Sequence, residues 1–238
     1  MLFRDEGGDA VVAIPQPGHA WLAGQLVRAW GNDAFARPAP FKEVCLGAEQ
    51  HDLAWLAWEA APTLNLATGR PHRFHEVPTA RRVEDWRAGV RLALAAYGRY
   101  PALLVSLHAD TIYGPLLRPG LLPEEDLAPL RALLDEQHAF QRAVLETLAA
   151  DPRHADAAEP GVVERNRLLV AAADGLSLAI CRGVTDDVRH PGAPPRAGAG
   201  RVGLRLSSPR GDPEELVLEP WPFAAGRVEV ACEGRRLR

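Results

Sequence analysis

The chain has 238 residues, 47% of them hydrophobic, and a formal net charge of −4. That size and apolarity bury a full core in one domain, or in one domain with an appendage, and the charge gives no electrostatic reason to expect a nucleic-acid polymer as partner. No apolar run approaches the roughly 20 residues of a bilayer helix, and the opening Met1-Leu2-Phe3-Arg4-Asp5-Glu6 carries acids where a secretory signal has a basic patch, so the expectation is a cytoplasmic protein without a membrane partner.

In chain order, Val11-Val12-Ala13-Ile14 reads as a strand within an N-terminal segment 1–15. Pro17-Gly18 then open a helix that carries His19 in its first turn and closes at Gly31-Asn32. Residues 41–60 are expected as one helix, with Val44, Ala48, His51, Trp55 and Trp58 on a single stripe before Pro62 stops it. Residues 63–78, with Asn65, Gly69, Pro71 and Pro78, read as a long loop of the kind that often carries function.

Further helices are expected at 79–98, 102–113, 123–150 and 161–181, the third beginning with acids that complement a helix dipole and the last ending at Gly183. Residues 16–185 thus form a mainly α domain. A Pro/Gly linker at 186–200, containing His190-Pro191-Gly192, leads to a β appendage at 201–238 with strands at 202–206, 216–218 and 228–231. These strands and the N-terminal one are expected to share a small antiparallel sheet, with Pro220-Trp221-Pro222-Phe223 as a turn that packs an aromatic anchor under it.

The side chains with chemistry are His19, the pair His51-Asp52, and Asp174. Neutral imidazole and ionised carboxylate hold borderline and hard divalent cations. On a helix His51 and Asp52 stand about 100° apart and reach one ion from the edge of the buried face. Asp174 interrupts the apolar segment 168–178, where a carboxylate is costly without a cation or several donors. His108 ends the apolar run 103–107 and His138 lies on the long helix; with the first four they make a six-ligand set, enough for two ions.

Structural alternatives stand beside each residue. His19 caps its helix or packs beside Trp21, Asp174 pairs with Arg142 or Asn166, and His108 and His138 are satisfied histidines near the core. In the long loop, Arg70, Arg73 and His75 are candidates for holding substrate, against a reading as solvated surface charge. His154 and His190 read as surface residues, and Trp55 and Trp58 as core. Cys45, Cys181 and Cys232, odd in number and in apolar contexts, read as reduced thiols. Ser106 and Ser177 lack the glycines of a nucleophile elbow, and no Gly-rich phosphate loop occurs, so ATP-driven chemistry is not expected. Lysine appears once, at Lys42, against 26 arginines, a bias of genome composition that also suits phosphate recognition.

His19, His51-Asp52 and Asp174 resemble the H…HD…D signature of the HD-domain superfamily, helical proteins that are mostly metal-dependent phosphohydrolases. More closely, Gln50-His51-Asp52, Ser106-Leu107-His108, Asp174-Gly175-Leu176-Ser177-Leu178 and Pro220-Trp221-Pro222-Phe223 look like the pattern of a bacterial family known only as a domain of unknown function, over nearly the whole chain. The superfamily resemblance implies an HD-like helical bundle with His19, His51, Asp52 and Asp174 as metal ligands. His108 and His138 resemble, in chain order, the extra histidines of its two-metal members. The expected activity is hydrolysis of a small phosphorylated molecule, a phosphate ester or nucleotide-like compound, by water activated on one or two ions of Mn, Fe, Zn, Ni or Mg. Asp52 and His108 then take catalytic roles. A di-iron oxygenase on the same ligands and a non-catalytic binding or interaction module with a degenerate site stand as alternatives, and a homodimer is left open.

Overall fold

The structure is a computed structural model that describes residues 1–8, 10–198 and 200–237; Asp9 of the expected N-terminal segment, Ala199 of the expected linker and Arg238 of the expected appendage lie outside them. The β-branched run forms strand β2 (Val11–Ile14), paired antiparallel with a strand not anticipated, β1 (Leu2–Asp5). The free edge of β2 takes β8 (Arg235–Leu237), so a small antiparallel sheet joins N-terminal and C-terminal strands as expected.

The other C-terminal strands go elsewhere. β5 (Val188–Ala193), β6 (Val202–Ser207) and β7 (Val217–Glu219) build a second antiparallel sheet in the order β5-β6-β7, and residues 228–231 form no ladder. β5 occupies part of the stretch read as a linker. It tolerates Pro191 and Gly192 because it is an edge strand whose register slips between His190 and Ala193, where a missing donor costs no ladder bond.

The helices are α1 (Gln16–Ala29), α2 (Phe41–Glu49), α3 (Leu56–Ala60), α4 (Thr79–Tyr97), α5 (Arg99–Tyr113), α6 (Glu124–Ala149) and α7 (Pro160–Arg182). One core gathers Leu22, Leu26, Val44, Leu104, Leu169 and Leu176 from α1, α2, α5 and α7. A second gathers Trp86, Val90, Ala102, Leu130 and Leu133 from α4, α5 and α6. α5 contributes to both, which explains its nearly unbroken apolar run, and the polar cluster described below lies along it. No described helix is long and apolar enough to cross a membrane.

The largest departure from expectation is at residues 41–60, which do not form one helix. α2 stops at Glu49; Gln50 takes φ −113°, ψ 9°, His51 and Asp52 form a turn, and a single 3₁₀ turn (Leu53–Trp55) precedes α3. Tertiary packing imposes the break. A Cβ on Gly89 of α4 would lie 2.7 Å from Cα of Ala54, so the 3₁₀ turn rests directly on α4 at a point where only glycine fits. Val44, Ala48, His51, Trp55 and Trp58 are all buried even so, and burial periodicity alone does not separate the two arrangements.

The 63–78 loop contains a two-residue hairpin, β3 (Leu64–Asn65) with β4 (Arg70–Pro71), and a 3₁₀ turn at Phe74–Glu76. Its Phe74 N–H donates to the Met1 carbonyl at 3.2 Å. Phe223 of the Pro-Trp-Pro-Phe turn is buried, edge-on to Trp30 at 5.5 Å and to Trp221 at 4.8 Å.

Candidate metal centre

The break after α2 creates the centre of the site. In a continuous helix the Ala48 carbonyl would accept from the Asp52 amide; here it accepts from His51 Nδ1–H at 2.7 Å. A carbonyl only accepts, so Nδ1 carries the proton and the lone pair of a neutral His51 sits on Nε2, facing the interior. His51 is 0% exposed. Its Nε2 lies 3.3 Å from Asp174 Oδ1 without the alignment of a hydrogen bond.

Asp52 and His19 form the adjoining side. His19, in the first turn of α1, places Nε2 2.8 Å from Asp52 Oδ2 and Nδ1 3.0 Å from Ser177 Oγ, and the Ser177 hydroxyl donates to the Asp174 carbonyl at 2.8 Å. Asp52 Oδ2 also accepts from Gln16 Nε2 at 3.2 Å, and the backbone N–H of Gln16 is held by the Glu59 carboxylate at 2.9 and 3.0 Å. Oδ2 is therefore doubly engaged. Asp52 Oδ1, although buried, has no partner among the described residues.

α5 and α7 close the cluster. His108 packs edge-on to His51 at 4.5 Å, its Nε2 3.7 Å from Asp174 Oδ2 and likewise unpartnered. Asp174 touches three histidines, with His19 Nδ1 at 3.8 Å the third, and at 16% exposed its side chain is the most open of the group. Asn166, one of its suggested structural partners, is engaged instead by the Ala39 carbonyl and the Tyr100 hydroxyl.

Burial acts on all these groups, and the neighbours decide the outcome. For His51 burial pulls the pKa down, but the Asp52 and Asp174 carboxylates and the Ala48 carbonyl outweigh it and push it up to about 9. For His108 burial dominates and the His51 charge adds to it, so the pKa falls to about 4 and the ring is neutral at physiological pH. Asp52 and Asp174 are both held below the ordinary carboxylate value: burial raises them, and the surrounding imidazoles more than compensate.

Two overlapping sets have ligand atoms within 4.8 Å of one another, His19 with His51 and Asp174, and His51 with Asp52 and His108. Fit to a cation can be tested on the unpartnered atoms. His51 Nε2, Asp52 Oδ1 and His108 Nε2 are buried with no hydrogen-bond partner among the described residues, in a protein interior where such groups are normally satisfied, and an ion at His51 Nε2 would displace the proton that its raised pKa retains. A divalent ion satisfies imidazole nitrogen and carboxylate oxygen together, and the second-neighbour contacts from the Ala48 carbonyl, Ser177 and Gln16 are of the kind that orient metal ligands. The residues fit a metal.

Five of the six sequence candidates for ligands come together; His138 does not. Its side chain is 45% exposed and its Nε2 sits 2.6 Å from Asp110 Oδ1. The buried face of α6 is set by Leu130, Leu133, Leu134, Gln137 and Gln141, and the residue after Gln137 points about 100° away. Gln137 and Gln141 instead bond Ser106 at 2.9 and 3.2 Å, behind His108.

The loop candidates gather around Phe3 instead. Arg73 lies over the Phe3 ring at 5.9 Å, Arg70 and Arg73 line a small hollow with it, and His75 is exposed beside Phe74. His190, read from sequence as a surface residue, is half-buried: its Nε2 lies 2.3 Å from where a Gly175 Cβ would be, so the second sheet clamps onto α7 beside Asp174. The glycine after Asp174 in an apolar helix was the available signal. Gln16 and Ser177 were not anticipated as ligand supports, since nothing in a sequence marks which polar residue faces a carboxylate. All three cysteines are free, Cys45 and Cys181 buried and Cys232 partly so.

Fold and site together define a mainly helical protein with a buried His/Asp cluster suited to a metal ion. The chain belongs to the family described as Protein of unknown function (DUF3891), whose family model matches residues 1–238. No curated protein and no solved structure matches it.

Proposed function

We propose that this chain is a metal-dependent phosphohydrolase acting on a small phosphorylated molecule, with His19, His51, Asp52, His108 and Asp174 as the residues that hold the ion. The observation that carries this reading is that two buried, unpartnered nitrogens, His51 Nε2 and His108 Nε2, face the Asp174 carboxylate, with Asp52, whose buried Oδ1 is also unpartnered, in one ligand group with both histidines. The resemblance of His19, His51-Asp52 and Asp174 to the HD-domain signature supports the choice of phosphoryl chemistry. When bound, a divalent ion supplies a water of lowered pKa and neutralises charge on the phosphoryl oxygens.

The chain's own residues prepare that site. Gln16 and His19 fix Asp52 through Oδ2 and leave Oδ1 for the ion. Ala48 fixes the tautomer of His51. His108, with its pKa near 4, offers a lone pair rather than a proton. Asp174, the most open of the ligands, stands where water and substrate reach the cluster. The test is phosphate release from p-nitrophenyl phosphate and a panel of nucleoside monophosphates, by chelator-stripped protein to which Mn²⁺, Fe²⁺, Zn²⁺, Ni²⁺ or Mg²⁺ is returned. Turnover restored by a metal and lost in Asp174→Asn supports the reading; stoichiometric metal without turnover on any ester contradicts it.

A further inference from the structure

Arg70 and Arg73 of the 63–78 loop gather around Phe3, while another arginine lies on α4, the helix whose Trp86 stacks on His108. α4 carries Arg81-Arg82 in its first turns. Arg81 Nε donates to both oxygens of Asp85, at 3.0 and 2.8 Å. Arg82 keeps only the Thr79 hydroxyl, through Nη2 at 2.9 Å, and its buried Nε has no acceptor among the described residues.

One turn further along the same helix, Trp86 is in the same condition. It is 1% exposed and its indole N–H has no acceptor among the described residues. Residues four apart share a helix face, so the two unsatisfied donors belong to one face of α4. The Trp86 ring stacks on His108 at 6.1 Å with 22° between planes, and meets Tyr113 edge-on at 5.3 Å. Burial raises the Tyr113 pKa, and Arg82, Asp52 and Asp85 are the charged groups that act on it. Leu53, Ala54, Val105 and Ala109 belong to the same apolar cluster as Trp86, and the buried Asp85 carboxylate beside it is held by Arg81.

We infer that Arg82 and Trp86 form an oxyanion subsite on the α4 face that meets His108, built to receive the non-reacting oxygens of a tetrahedral phosphoryl group. A buried guanidinium N–H and an indole N–H with no acceptor among the described residues, four residues apart on one helix whose Trp86 ring stacks on His108, are donors for a ligand's acceptors. The assignment of the anion as phosphoryl rests on the phosphohydrolase reading; the existence of an anion site does not.

The experiment is calorimetric titration of inorganic phosphate into chelator-stripped protein, so that no metal contributes, for wild type, Arg82→Gln and Trp86→Phe. Phosphate is expected to bind wild type, to weaken about 10- to 100-fold in Arg82→Gln as a charge-assisted bond is lost, and about tenfold in Trp86→Phe, which keeps the packing and removes only the N–H. Thermal unfolding of each variant confirms the fold, and metal content confirms that Arg82→Gln retains the ion. Equal phosphate binding by wild type and Arg82→Gln, or none by the stripped wild type, overturns the subsite. Arg82-dependent phosphate binding without ester turnover would leave the subsite standing and sink only the hydrolase reading.

Discussion

The two sides of the buried cluster are built on opposite terms. On the α1 side, His19 has both ring nitrogens engaged, by Asp52 and by Ser177, and would take an ion only by exchanging one of these contacts. On the α5 side, His51 and His108 turn unpartnered nitrogens toward Asp174, beside Asp52 with its unpartnered Oδ1. Burying an unpartnered polar atom gains no stability by itself, so the second side has bonding capacity left over that an ion would fill. The first side is held by the protein's own bonds, and the second is not.

This difference is broken most sharply by paired substitutions in metal-free protein. His19→Phe leaves the Asp52 carboxylate buried beside a group that cannot pair with it, and should cost about 3 kcal/mol, a fall of about 9 °C in Tm for a chain of this size. His108→Phe removes a base that has no bond to lose and should cost no more than about 1 kcal/mol. Both should lose the metal. Differential scanning fluorimetry alongside metal analysis reads both halves of the prediction, and equal destabilisation by the two would erase the distinction.

Gly89→Ala attacks the support under both sides. Its Cβ would meet the backbone of Ala54, so the turn carrying His51 and Asp52 must shift, with a cost of about 2 kcal/mol in urea unfolding and weaker metal binding in the same sample. Ser177→Ala is milder. It removes one neutral partner of His19, about 1 kcal/mol, and should weaken metal affinity about tenfold through the loss of ligand orientation.

The pH dependence of metal-free protein has two limbs. His51, raised from 6.5 to about 9, contributes stability that is fully present below pH 6.5 and is lost as pH rises through 9. His108, lowered from 6.5 to about 4, contributes a penalty that grows as pH falls below 6.5. Asp52 and Asp174, both lowered from 3.8, withdraw their contribution at still lower pH. Tm should therefore peak near pH 6.5 in the metal-free state. Metal affinity should rise with pH up to about 9, because the ion displaces the proton from His51. A flat metal-free profile between pH 6.5 and 9 would contradict the pairing of His51 with the two carboxylates.

The helical character and most helix ends were legible because Pro, Gly and acidic residues mark them: α4, α6 and α7 fall within a residue or two of where Pro78, Pro123, Glu124 and Gly183 place them. The break at His51-Asp52 was hidden, since a 3₁₀ turn keeps the same residues buried that a helix would. Its cause lies in a distant glycine, Gly89. β5 was hidden by its own proline and glycine, which read as a linker until β6 is known to lie alongside. In the cluster, Asp174 was legible as a charge in an apolar helix. The outward rotation of His138 required knowing that Gln137 and Gln141 occupy the buried face, which inverts the usual preference for polar residues outside. Arg82 was lost among 26 arginines, and only its unsatisfied nitrogen distinguishes it.

The central claim is that the unpartnered His51 Nε2, Asp52 Oδ1 and His108 Nε2, together with the Asp174 carboxylate, bind a divalent metal. Plasma mass spectrometry of protein purified without a polyhistidine tag, wild type beside Asp174→Ala, tests it most directly. Stoichiometric metal in wild type that disappears in the variant is the predicted result. No metal in wild type, together with failure of the stripped protein to take up added Mn²⁺ or Zn²⁺, or equal metal in both proteins, would contradict it.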